Sequence, residues 1–205
     1  MKEYIAKKAS YKLKINDDLW KKVPAAELSE GWWDQFPKKY KTEAKLAYCD
    51  EGLILRMETE EWPITVKAMN LNDEVCLDSC MEFFFTPNTE DKEYINLEAN
   101  AGSIPLCGIG AGREGRKALN PIKDGVEVKT LIDFEKGWKL YLFIPFDFIK
   151  KHFSKIEKTM KANFYKCGEE TVIEHYFVWN KIGTAVPDYH RPEYFGNIIL
   201  SDEEI

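Results

Sequence analysis

The chain has 205 residues, 44% of them hydrophobic and 31% charged, the composition of one folded domain and not of a disordered segment. A net charge of −6 excludes the basic face that nonspecific nucleic-acid binding needs. No apolar run approaches the ~18 residues of a membrane-spanning helix. The aromatic share, with Trp 6, Tyr 10 and Phe 12, exceeds what a core of this size needs.

The elements read in chain order are short extended runs between turns. The N-terminal stretch MKEYIAKKAS carries no signal-peptide core, because Lys7 and Lys8 interrupt it; the chain therefore reads as cytoplasmic, or as secreted if a leader has been removed. Strands are expected over residues 43–48 and 52–58, flanking the turn Asp50-Glu51-Gly52. Further strands are expected over 80–86, stopped by Pro87 and Asn88, and over 93–100, 104–109, 126–133 and 138–144. The last two are joined by the turn Phe134-Glu135-Lys136-Gly137. Residues 146–153 read as the one helix, with Phe146, Ile149 and Phe153 at helical spacing. Strands over 161–167 and 194–200 complete the set. Many short strands at regular intervals define an all-β chain: a single-domain antiparallel β-sandwich over 1–205, jelly-roll-like, with one short helix.

Side chains alternate between the two faces of a strand. Met81, Phe83 and Phe85 therefore share one face, as do Ile95, Leu97 and Ala99, and these faces are core. The opposite faces carry Cys80, Glu82 and Phe84, and Tyr94, Asn96, Glu98 and Asn100. A solvated outer face is the plain reading of such a pattern. Asn is depleted in strands, however, and no Lys is present, so the array of amides and carboxylates also reads as a binding face.

Other motifs carry less. Gly110-x-Gly112-x-x-Gly115 matches the dinucleotide fingerprint by letter, but no helix follows it, so it reads as a flexible loop. That loop carries Arg113 and Arg116, either exposed arginines or forked donors to a ligand. Glu82 and Glu98 are the candidate acid and nucleophile if the chain hydrolyses glycosides. No Gly-x-Ser-x-Gly elbow is present. The five cysteines, Cys49, Cys76, Cys80, Cys107 and Cys167, are odd in number and lack Cys-x-x-Cys pairs, as reduced buried thiols do. Cys76 and Cys80 are four apart in a segment that reads as a strand, and Cys167, His175 and His190 are too scattered for a zinc signature. His152 reads as a surface residue of the helix. The run Pro187-Asp188-Tyr189-His190-Arg191-Pro192 is a stiff loop, a ligand-positioning element or a structural corner. Trp20 and Trp138 read as core. Trp32, Trp33, Trp62 and Trp179 fall at strand ends and in loops, where an aromatic face suits the C–H faces of a sugar.

Four segments, Asp78-Ser79-Cys80-Met81-Glu82-Phe83-Phe84, Tyr94 to Asn100, Asn163-Phe164-Tyr165-Lys166-Cys167-Gly168 and Pro187 to Gly196, resemble those of the family 9 carbohydrate-binding modules, in particular the bacterial branch outside the xylanase-attached modules. The resemblance runs from about residue 15 to the C-terminus. It implies a β-sandwich without catalytic activity that binds a mono- or oligosaccharide, often at a chain end. It further implies that Glu82, Asn96 and Trp179 stand where the family's binding groups stand and that Arg113 and Arg116 lie near its binding arginines. Calcium is structural in the xylanase-attached members, but no set of acids in this sequence shows an ordered metal-loop spacing. The sequence departs from the family where an aromatic precedes the Asp-Ser motif: Cys76 and Leu77 stand there, and Trp62, or one of Trp32 and Trp33, is the candidate replacement. The expected function is therefore sugar binding by Trp179 and Trp62 with Glu82, Asn96, Glu98, Arg113 and Arg116, with neither nucleic acid nor membrane as partner. The alternatives are a glycoside-processing enzyme using Glu82 and Glu98, and a cofactor or interaction domain on the same sandwich.

Overall fold

The computed structural model describes residues 1–30 and 40–205; Trp32 and Trp33 lie outside the described residues. The strands are β1 (Glu3–Lys8), β2 (Ala26–Glu27), β3 (Thr42–Cys49), β4 (Gly52–Thr59), β5 (Cys80–Thr86), β6 (Tyr94–Asn100), β7 (Pro105–Gly110), β8 (Lys117–Ala118), β9 (Glu127–Asp133), β10 (Gly137–Pro145), β11 (Thr159–Gly168), β12 (His175–Val178) and β13 (Gly196–Glu204). Hydrogen-bonded neighbours follow the order β8-β7-β6-β5-β11-β13-β1-β3-β4-β10-β9, with β12 on β11 and β2 on β3. The sheet curls until its halves face each other, since Phe83, Phe85 and Phe164 of one half pack in a single core with Leu55, Met57, Leu140 and Leu142 of the other. The sheet is mixed: β1 runs parallel to both β13 and β3.

The alternation expected for β5 and β6 holds. Met81, Phe83, Phe85, Ile95, Leu97 and Ala99 all enter the central core. Phe83 stacks between Phe85 and Phe164, with ring centroids 4.9 and 5.2 Å away. Trp20 and Trp138 are buried as expected. Trp20 belongs to the segment 9–23, which covers the outer side of β3, β4 and β10, and it packs there with Ala47, Ile54 and Tyr141. Its indole N–H donates to the Lys14 carbonyl at 2.8 Å.

Helix α1 (Phe146–Lys150) is shorter than the spacing predicts. His152 donates to the Ile149 carbonyl at 3.0 Å, a tightened turn that ends the helix, while Phe153 stays buried against the core. It is the one α-helix among the described residues, and no helix there is long and apolar enough to cross a membrane. The strand expected to include Cys76 is also corrected. Cys76 lies in a 3₁₀ turn, Val75–Leu77, and β5 starts only at Cys80.

A charged residue breaks the apolar pattern of the inward face of β11. Lys166 on β11 is fully buried, and its ammonium lies 2.9 Å from Glu61 Oε2. Glu61 also accepts from Trp138 Nε1 at 2.9 Å and from Ser79 Oγ at 2.8 Å. Lys166 donates to the Cys167 carbonyl at 2.7 Å and to His175 Nε2 at 2.6 Å. His175 is therefore a neutral acceptor at Nε2 whose Nδ1–H donates to the Ile173 carbonyl at 2.7 Å. Burial, then the Lys166 charge, pushes its pKa down to about 4.

Removing one member of a buried ion pair strands the other. Glu61→Ala or Lys166→Ala is expected to lose ~3–5 kcal/mol in urea unfolding, and Glu61→Leu/Lys166→Met to recover much of that loss. An imidazole NMR titration of His175 is expected to show a midpoint near 4; a midpoint near 6.5 contradicts the assigned tautomer. The unfolded chain takes up this proton first, so the His175 contribution to stability is complete above about pH 6.5 and is lost as pH falls through about 4.

Candidate acidic binding face on β5, β6 and β11

The outward side of β5, β6 and β11 gathers the polar residues singled out in the sequence. Glu82 pairs directly with Glu98, Phe84 with Asn96 and Cys80 with Asn100 across β5 and β6. On the other edge of β5, Tyr165 lies opposite Glu82, and Cys167 opposite Cys80. This face is not solvated. Ile182, Tyr189 and Phe195 from the segment after β12 pack over it with Phe84, Tyr94, Tyr165 and Tyr176. Glu82 and Glu98 are left only 2% and 4% exposed.

Two adjacent desolvated carboxyls resist joint ionisation. Burial, followed by the Glu98 charge, raises the Glu82 pKa well above the ordinary range, against a 2.9 Å hydrogen bond donated by Cys167 Sγ. Burial raises Glu98 to about 7, opposed by Asn96 and Arg116. Asn96 Nδ2 donates to Glu98 Oε1 at 2.8 Å, and Asn96 Oδ1 accepts from Arg116 Nη2 at 2.6 Å and Nε at 3.0 Å. Arg116 thus fixes and polarises the Asn96 amide that donates to Glu98, and its charge acts on the carboxyl pair from behind that amide.

The two loop arginines differ. Arg116 is anchored by the carbonyls of Tyr94, Gly108, Gly110 and Gly112 at 2.9–3.3 Å, and it lies 4.2 Å over the Tyr94 ring. The absence of side chains at Gly108 and Gly110 makes room for it: a Cβ on either would come within 3.5 Å of its guanidinium atoms. Arg113 is 57% exposed and pairs with Asp188 Oδ1 at 2.9 Å. Asp188 also holds Arg191 at 2.6 Å, and the neighbouring His190 shares a 2.7 Å hydrogen bond with Tyr94 Oη. The stiff loop therefore closes over the face. Asn100 serves the scaffold instead, donating to Asp78 Oδ2 at 2.8 Å and accepting from Gly102 and Ile104 N–H at 3.0 Å.

The tryptophans do not join this face. Trp179 turns inward beside Phe177, because Tyr176 and Val178 take the outward positions of β12. It packs 5.5 Å from Phe164 and 6.4 Å from Tyr4, and a Cβ at Gly196 would lie 2.5 Å from its ring. A sugar-stacking role for Trp179 is therefore corrected to a core role. Trp62 is 44% exposed and meets Phe134 edge-on at 5.5 Å. The two border a cleft of about 590 Å³, lined also by Glu43, Glu58 and Lys136, in the opposite half of the sandwich.

Sequence reasoning passed over Cys167 and Tyr189 as members of this site. Pairing β11 with β5 would have found Cys167, since Asn163, Tyr165 and Cys167 alternate away from the core-facing Phe164. Among the described residues, the one cluster of three metal-ligating side chains is Cys80, Glu82 and Cys167. Calcium takes oxygen ligands only, so two thiols do not suit it.

Arg116→Ala leaves Asn96 Oδ1 and several carbonyls without their shared donor, and is expected to lose at least ~2 kcal/mol in urea unfolding. Arg113→Ala, at an exposed pair, is expected to lose less than ~1 kcal/mol.

The curled β-sandwich thus carries two carboxyls and an amide on one sheet face, with two loop arginines beside them. Residues 16–200 match the model of carbohydrate-binding family 9, and the chain belongs to that family. A search of curated proteins finds no match. Among solved structures, the fold is similar to that of a presumed carbohydrate-binding protein from Bacteroides uniformis ATCC 8492, with a TM-score of 0.85 and 26% identity over 98% of this chain and 99% of that one. It is also similar to a family 9 module from Caldicellulosiruptor kristjanssonii solved with glucose, with a TM-score of 0.68 and 16% identity over 99% and 97% of the two chains. The same description holds for a family 9 module from that organism solved with cellotriose, with a TM-score of 0.68 and 16% identity over 100% and 95%.

Proposed function

We propose that the protein is a non-catalytic module that binds a glucose-type mono- or oligosaccharide at the face formed by Glu82, Asn96, Glu98, Arg113 and Arg116. The carrying observation is the directly opposed Glu82–Glu98 pair, desolvated and backed by Arg116 through the Asn96 amide. A sugar offers adjacent hydroxyls, each a donor and an acceptor. Donation to Glu82 and Glu98 supplies what the pair lacks in the free protein, and the guanidinium of Arg113 supplies donors to the hydroxyl oxygens. Arg113 is the exchangeable member, since its partner Asp188 is also held by Arg191. The glucose- and cellotriose-bound relatives support this class of ligand.

The match of residues 16–200 to a carbohydrate-binding family supports binding over glycoside hydrolysis.

Isothermal titration with glucose and cello-oligosaccharides is expected to show binding by the intact protein. Glu82→Gln and Asn96→Ala are each expected to weaken it at least tenfold, and Trp62→Ala to leave it within twofold. Absence of binding by every sugar tested, or full affinity in Glu82→Gln, overturns the reading.

A further inference from the structure

We propose that Cys80, Cys167 and Glu82 form a binding site for a thiophilic divalent cation of the zinc type. The ligand atoms of the three side chains lie within 4.8 Å of one another. The register explains the convergence. Cys80 and Cys167 are direct cross-strand partners on β5 and β11, and Glu82 follows Cys80 on the same face. Cys167 Sγ already lies 2.9 Å from Glu82 Oε1. Tetrahedral zinc, with Zn–S near 2.3 Å and Zn–O near 2.0–2.2 Å, needs its ligand atoms roughly 3.5–3.8 Å apart. Side-chain rotation of a fraction of an ångström to about 1 Å meets that requirement.

The donor set selects the metal. Two sulfurs and one carboxylate oxygen suit zinc and disfavour calcium and magnesium, which take oxygen ligands. Three protein ligands leave a fourth position. The Cys76 backbone carbonyl lies 3.6 Å from Cys167 Sγ, and this further cysteine is half-buried. The ordinary role of a buried thiol is apolar packing, and Cys49 shows it, lying among Ile54, Tyr141 and Phe143. Cys80 and Cys167 differ because a buried carboxylate shares their pocket. Binding replaces the two thiol protons, together with the proton held on Glu82 wherever that carboxyl is neutral, with one cation, so two to three protons leave per metal bound.

The site shares Glu82 with the sugar reading, but its test contains no sugar, so either proposal can fail without the other. The reduced full chain, kept in a non-thiol reductant, is titrated with Co²⁺ as an optical probe for zinc. One equivalent is expected to produce sulfur-to-cobalt charge-transfer absorption that Zn²⁺ abolishes, with two to three protons released per metal in paired-buffer calorimetry. Cys80→Ser and Cys167→Ser are expected to lose the band, Glu82→Gln to weaken Co²⁺ binding at least tenfold, and Cys49→Ser to keep both. Circular dichroism identifies a variant that has failed to fold, in which case Glu82→Gln and the proton count decide. No charge-transfer band in the intact chain, or a band that persists in folded Cys80→Ser/Cys167→Ser, overturns the proposal.

Discussion

The pairing of β5 between β6 and β11 is the constraint on which the molecule depends. A slip of one residue exchanges the two faces of a strand. Here it would expel Met81, Phe83 and Phe85 from the core and drive Glu82 into the aliphatic residues of β4 and β10. The same register that fixes the core also sets Glu82 against Glu98, and Cys80 against Cys167. Core and site are two sides of one set of hydrogen bonds.

Both sides of the sheet carry a buried charge problem, and the fold solves the two differently. On the inner side Lys166 is neutralised by Glu61, and four neighbouring groups complete their hydrogen bonding. That network is closed. On the outer side Glu82 and Glu98 share a site with partial compensation from Cys167, Asn96 and Arg116. A satisfied buried network rigidifies a fold, whereas an incompletely satisfied one marks where a ligand gains most. The contrast separates the inner, structural cluster from the outer one, where the ligand site is proposed. The cover over the outer face is consistent with that division, because its outermost lock is the exposed Arg113–Asp188 pair, of little energetic weight.

Much of the fold was legible as periodicity. The range of β5 and the inward faces of β5 and β6 follow directly from alternating side chains in the residues 80–86 and 94–100. β1 was missed because only Tyr4 and Ala6 alternate against a charged background. β12 was missed because all four of its residues are buried, so it shows no polar alternation. Glu82, Asn96 and Glu98 were legible as a polar strand face, but parity cannot tell a solvated face from one roofed by a distant loop. Trp179 failed as a stacking candidate for the same reason. Its position after β12 looks like a loop, while its inward direction is set by pairing with β11. The Arg116 anchor depends on four carbonyls of β6, β7 and the following loop converging in space, which no linear pattern records.

The account rests on where a sugar sits. A crystal structure of the protein soaked with glucose tests this most directly. The account predicts sugar hydroxyls within hydrogen-bonding distance of Glu82, Asn96 and Glu98, with Arg113 released from Asp188. Glucose found only in the cleft beside Trp62 and Phe134, with the carboxyl pair untouched, would contradict it.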